Sequence, residues 1–148
     1  MKSSSLRNYC IITAVVLAAC SDSTGPKQSV PGAYTLQTMN SQQLPFNIAE
    51  VFGVFKIEVM SGTMALNADF TFLERDILRT TLQTDATHST VTIDTSNIAG
   101  HWELQDSVIT LTDNTPTHDV LFGIASNGRL TLTFTQDGQA FTMRYTRN

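Results

Sequence analysis

His88, His101 and His118 are the histidines of this 148-residue chain and its candidate soft metal ligands. In a simple strand meander successive turns alternate ends, which places His88 at one end and His101 with His118 at the other. Those two, beside Asp119, could hold a transition metal weakly. The 17-residue separation of His101 from His118 matches no metal-ligand signature, so solvated loop histidines are expected and no metal is assigned. General acid–base work needs two carboxyl groups converging in a cleft with pKa values pushed apart. Asp76, Asp85, Asp106, Asp113 and Asp137 fall in segments that read as turns, where local backbone hydrogen bonding explains an Asp. Glu58, Asp94 and Glu103 fall on outward strand positions. The sequence holds no G-x-S-x-G elbow, Gly-rich phosphate loop or D-x-D-x-D-G calcium loop. The reading is of a protein that is not an enzyme, with no catalytic residue and no cofactor.

Composition sets the frame in which such residues could be positioned. With 41% hydrophobic and 15% charged residues, the chain carries too much apolar surface for a disordered segment and suits one domain. Its formal charge of −4 offers no basic stripe to release counterions, which argues against a nucleic-acid partner. The 22 threonines, with little Pro and Gly, favour strands over helices.

The N-terminus reads as an address. Lys2 and Arg7 precede an apolar run from Ile11 to Ala19, about nine residues against the roughly 20 that a membrane-spanning helix needs. A signal peptide fits better than an anchor helix. The segment ends Leu17-Ala18-Ala19-Cys20, which resembles a bacterial lipobox, the motif in which the Cys is lipidated and becomes the first residue of the mature protein. That resemblance implies a signal peptide over 1–19 and a palmitate-type acyl anchor on Cys20, with the lipid bilayer as a partner. Cys10 leaves with the signal peptide, so the mature domain has no thiol, disulfide or thiolate metal site. Loss of Lys2 and Arg7 takes the charge from −4 to −6, so acyl chains, and not electrostatics, would do the anchoring. Residues 20–31 read as the lipidated Cys and a flexible tether. Ser21 in place of Asp after the Cys favours, by resemblance to enteric lipoproteins, export to the outer membrane.

From Gly32 onward the dominant period is two, which puts one strand face on a core and the other in water. The inward set reads as Tyr34 and Leu36; Phe55, Ile57 and Val59; Met64 and Leu66; Phe70 and Phe72; Leu78 and Leu82; Val91 and Ile93; Trp102 and Leu104; Ile109 and Leu111; Val120, Phe122 and Ile124; Leu130, Leu132 and Phe134; and Phe141, Met143 and Tyr145. These 26 mostly large residues are expected to fill the interior or nearly so, and since none is charged any ligand would be apolar. Breaks are read at Glu74-Arg75-Asp76 and Asn97-Ile98-Ala99, and tight hairpin turns at Asn127-Gly128 and Asp137-Gly138. Residues 46–54 could hold a turn or two of helix. Eight or more short strands joined by hairpins make an all-β, antiparallel up-and-down meander, closed into a barrel that removes exposed edges. Threonines and charges on the outer face exclude a transmembrane barrel.

Gly32-Ala33-Tyr34-Thr35-Leu36 with Leu44-Pro45-Phe46, the stretch Ser61 to Phe72, and Gly100-His101-Trp102-Glu103-Leu104 resemble motifs of small lipocalin-like domains in bacterial lipoproteins of uncharacterised function. The resemblance implies a lipocalin-like barrel over 32–148 and, in its interior, a ligand site for which Tyr34, Phe55, Phe72, Trp102, Phe122 and Tyr145 are the candidates. Trp102 alternates with Leu104, and plugging the barrel end competes with stacking on a ligand as its role. Two functions follow as expectations: an envelope lipoprotein binding a small apolar ligand, or a structural or protein-interaction module with a filled barrel that meets another envelope protein.

Overall fold

In a computed structural model of the chain, residues 29–85, 87–136 and 138–148 are described. Cys20 and the residues through 28, read above as signal peptide and tether, lie outside the described residues, as does Asp137. The described residues form ten strands and no helix: β1 Gly32–Met39, β2 Gln42–Gln43, β3 Phe46–Val51, β4 Phe55–Leu66, β5 Thr71–Gln83, β6 Ser89–Gln105, β7 Val108–Asp113, β8 Val120–Ser126, β9 Arg129–Gln136 and β10 Gln139–Arg147. Each of β4 to β9 pairs antiparallel with the next strand in the chain, β10 pairs with β1, and β1 pairs with β4 from Gly32↔Leu66 to Thr35↔Thr63. The result is the expected up-and-down barrel, closed by eight strands. The short β2 pairs with the end of β1, and β3 lies along the start of β4, so 46–51 is strand and 52–54 a turn, with no helix between them.

Hairpin chemistry sets several of the connections. Asn127 and Gly128 take φ of 51° and 72°, the left-handed pair that a two-residue turn between twisted strands requires. One end of the barrel gathers the start of β1, the β4–β5, β6–β7 and β8–β9 turns, and the end of β10. Arg147 fastens this end, its guanidinium donating to the carbonyls of Ser29 and Pro31. Tyr34 Oη donates to the Val30 carbonyl at 2.5 Å, and Val30 is itself buried. Packing therefore begins two residues ahead of Gly32.

The core is built from Tyr34, Leu36, Met64, Leu66, Phe72, Trp102, Ile109, Leu111, Leu130, Leu132, Phe141, Met143 and Tyr145, all inward as the alternation predicts. Three stretches depart from prediction. In β8 the apolar Val120, Phe122 and Ile124 face outward, with Phe122 58% exposed, while Leu121, Gly123 and Ala125 face inward. Cross-strand pairing fixes this: Leu121 and Gly123 lie opposite Leu111 and Ile109, which are fully buried, and directly paired residues share a face. The wall is too close here for larger groups, since a Cβ on Gly123 would lie 2.1 Å from the Thr131 carbonyl oxygen.

In β6 the strand runs unbroken through Asn97–Ala99, so the parity that sends Gly100 and Trp102 inward sends Val91 and Ile93 outward, 55% and 58% exposed. Among the described residues, Ser89–Ala99 ladder only with β5, because β7 joins β6 from Gly100. The β5–β6 hairpin thus projects as an arm, and Leu82 on it is exposed. Barrel closure leaves this stretch of edge open. Phe70, also predicted inward, sits in the β4–β5 turn with φ 66° and is 58% exposed, its ring against Trp102 at a centroid distance of 5.1 Å.

Candidate functional site

The third departure creates the site. Glu74-Arg75-Asp76 is no break but the middle of β5, a strand of 13 residues. Phe72 and Leu78 both turn inward, and every second residue between them must do the same, which places Glu74 and Asp76 inside the barrel. Glu74 lies opposite Met64 and is only 4% exposed. The interior is therefore neither uncharged nor filled. A cavity of about 520 Å³ occupies it, within the 300–1,000 Å³ typical of about one small-molecule ligand.

The cavity walls are mainly apolar: Leu36 and Met39 of β1, Ile48 of β3, Val59 of β4, Leu78 of β5, Ile98 of β6, Leu121 of β8, Phe134 of β9 and Met143 of β10. Four carboxyl side chains interrupt them, Glu74 and Asp76 within the barrel, Asp113 at the end of β7 and Asp119 on the loop that follows it. No Lys, Arg or His lines the space. Asp119, Val120 and Thr135 are exposed, so the cavity reaches solvent at the end away from Arg147. The opposite end is packed by Trp102, Phe72, Leu66 and Tyr34. Trp102 is 3% exposed and its indole donates to the Asn67 carbonyl at 3.1 Å, which fixes it as the plug of the closed end.

The two inner acids differ. Glu74 Oε1 accepts a 2.5 Å hydrogen bond from Tyr145 Oη, reaching across from β10. Burial raises the Glu74 pKa and the phenol's bond lowers it in part; the same burial, with the nearby carboxylates, holds the Tyr145 phenol well above its usual range. Asp76 is pushed up to about 7, first by burial and then by the charge of Glu74. Its Oδ1 is buried with no hydrogen-bond partner among the described residues. Gly62 makes room for that oxygen, for a Cβ there would lie 2.4 Å from it. At the mouth, Asp113 Oδ1 accepts from the Thr115 hydroxyl and amide and from the Asp119 amide, and the Thr115 hydroxyl is the main cause of its lowered pKa. Asp113, expected in a turn, is the last residue of β7; its side chain ties down the loop that follows and is also an anionic group at the rim.

Of the six aromatic candidates, Tyr34, Phe72, Trp102 and Tyr145 are buried in the core, Phe55 is half-buried at the far end of β4, and Phe122 is on the outer wall. None borders the cavity itself, although Tyr145 touches it through Glu74. The histidines are dispersed. His88 and His118 lie in loops at the open end and His101 points outward on β6, so the pairing of His101 with His118 is not formed. His88 bonds Asp85 at 2.8 Å, and His118 Nδ1 lies 3.2 Å from the Asp113 carbonyl. Among the described residues no three His, Cys, Asp or Glu converge in a metal-holding group. Glu58, expected outward and solvated, is 6% exposed, clamped by Lys56 at 2.7 Å and Arg79 at 2.6 Å. Comparison with protein-family models, with curated proteins and with solved structures finds no match to the chain.

Proposed function

We propose that this chain is a lipocalin-like binding lipoprotein of the bacterial envelope, which takes a small ligand with an apolar body into its barrel. The observation that carries this reading is the 520 Å³ cavity inside a barrel closed by eight strands, open at one end and plugged by Trp102 at the other. A module acting only through its outer surface has no need of such a space, whose upkeep forfeits packing contacts. The described chain begins at the plugged end, so a ligand would enter at the end remote from the segment that leads back to Cys20.

Binding is tested by filling the cavity. Leu78→Trp and Ile98→Trp each add an indole to a wall that borders the space. Both variants should keep the strand-type circular dichroism of the parent and lose calorimetric binding of 1-octanol by at least tenfold. Octanol binding unchanged in two folded variants would place it outside the barrel and leave the surface-module alternative as the better reading.

The anchor is tested separately. Cys20→Ala should move the protein from the membrane pellet to the soluble fraction and remove acyl mass from the chain. Continued membrane partition of an unacylated Cys20→Ala protein would contradict the lipobox reading and the envelope location that rests on it.

A further inference from the structure

We propose that the ligand is a cationic amphiphile, an organic ammonium group on an apolar body, with Asp76 as its counter-ion inside the barrel. This rests on the reading of the cavity as a ligand site and names the chemistry of what fills it. Three features of the wall lead there. The buried Oδ1 of Asp76 lacks a hydrogen-bond donor among the described residues, and an unpaired buried acceptor is costly unless something donates to it. A protein that needed only a filled wall would place an apolar residue there, yet Gly62 is bare where any Cβ would collide with that oxygen. Every charged side chain around the space is acidic: Glu74 beside Asp76 and, at the mouth, Asp113 and Asp119.

Charge then selects among ligands of equal apolar size. A carboxylate or phosphate would be carried past Asp113 and Asp119 and left beside Glu74 and Asp76 with no cation to meet it. A neutral alcohol could donate one hydrogen bond. An ammonium group donates up to three and is charge-assisted. A metal ion fits less well, since the four carboxyl groups do not converge in one ligating cluster. The apolar walls of Leu36, Val59, Leu78, Phe134 and Met143 suit the body of an alkyl or aryl amine.

Binding of the cation would be linked to protons. Burial and Glu74 keep Asp76 partly protonated near neutral pH. An ammonium at its side favours the ionised form, so the amine enters as the carboxyl proton leaves. Affinity for the amine should therefore fall as pH drops from 8 to 5, while affinity for a neutral analogue does not. The titratable groups around Asp76 are Glu74 beside it on β5, the Tyr145 hydroxyl bonded to Glu74 from β10, and Asp94 opposite Leu78 on β6, with Asp113 and Asp119 at the rim.

Octylamine, 1-octanol and octanoate carry the same chain with a cationic, a neutral and an anionic head. Titrated calorimetrically into the purified protein at pH 8, below the concentrations at which they self-associate, octylamine should bind at least tenfold tighter than octanol, and octanoate should give no measurable heat. In Asp76→Asn the preference for amine over alcohol should collapse to about twofold, while octanol still binds. Asp94, expected outward, shares the inward parity of Trp102 and lies opposite Leu78, so the control is Glu103→Gln, an outward acid on β6 that does not line the cavity. It should leave the preference intact, which separates the site from general attraction to an acidic surface. Equal affinities for amine and alcohol in the parent protein would overturn the cationic ligand and leave the cavity reading standing. Binding of none of the three would overturn the cavity reading itself, and octanoate as the tightest ligand would reverse the assigned charge.

Discussion

At pH 8 the Asp76→Asn protein should be more stable than its parent, by on the order of 3 kcal/mol in urea unfolding, and the gain should vanish near pH 4. The unfolded chain ionises Asp76 at its ordinary value of 3.8, and the barrel holds it protonated up to about 7. Folding is therefore favoured to the full extent below about pH 4, and this contribution drains away as the pH rises through 7. At about 1.36 kcal/mol per pH unit the gap corresponds to roughly 4 kcal/mol, reduced because the side chain retains some access to water. Glu74 acts in the same direction through its own burial. Glu58 acts oppositely: its hydrogen bond from Lys56, with that from Arg79, lowers its pKa, so its share of stability is present above the ordinary carboxyl range and lost on acidification. The parent should be most stable in mildly acid solution and soften toward pH 8. Asp76→Asn should flatten only the alkaline side of that profile. A parent whose stability rises or stays level from pH 5 to 8, with Asp76→Asn parallel to it, would contradict the buried acid.

Trp102→Ala should be the most damaging single truncation, costing about 3–5 kcal/mol. The indole is 3% exposed, fills the closed end, packs against the tilted Phe70 ring and donates to the Asn67 carbonyl. Removing it opens the plug and strands that carbonyl. Trp102→Phe keeps most of the volume but not the donor, and should cost about 1–2 kcal/mol. Urea unfolding followed by circular dichroism reads both. A loss below about 1 kcal/mol for the alanine variant would mean that the closed end packs without its plug.

Much of the barrel is legible in the sequence, because β7, β9 and β10 alternate cleanly between apolar and polar residues and Asn127-Gly128 supplies a turn of the correct hand. The site is not legible by the same rule. Glu74-Arg75-Asp76 looks like a turn because three charged residues in a row are rarely in mid-strand. The signal that contradicts it is parity: Phe72 and Leu78 are six apart, and one continuous strand through both sends the two acids inward. Parity likewise corrects Val91 and Ile93, once β6 is carried unbroken to Trp102. In β8 the apolar residues themselves mislead. Val120, Phe122 and Ile124 alternate as well as any core strand, and only the fit of Gly123 against Leu132 and the Thr131 carbonyl turns them out. That constraint comes from neighbouring strands and is absent from the local pattern.

The central claim, an acid held inside a hollow barrel and awaiting a cation, is tested most directly by the side-chain carboxyl resonance of Asp76 in a ¹³C NMR titration with and without octylamine. The expected midpoint is about 7 in the free protein, and lower when the amine is bound. A midpoint near the ordinary 3.8, unmoved by octylamine, would contradict it.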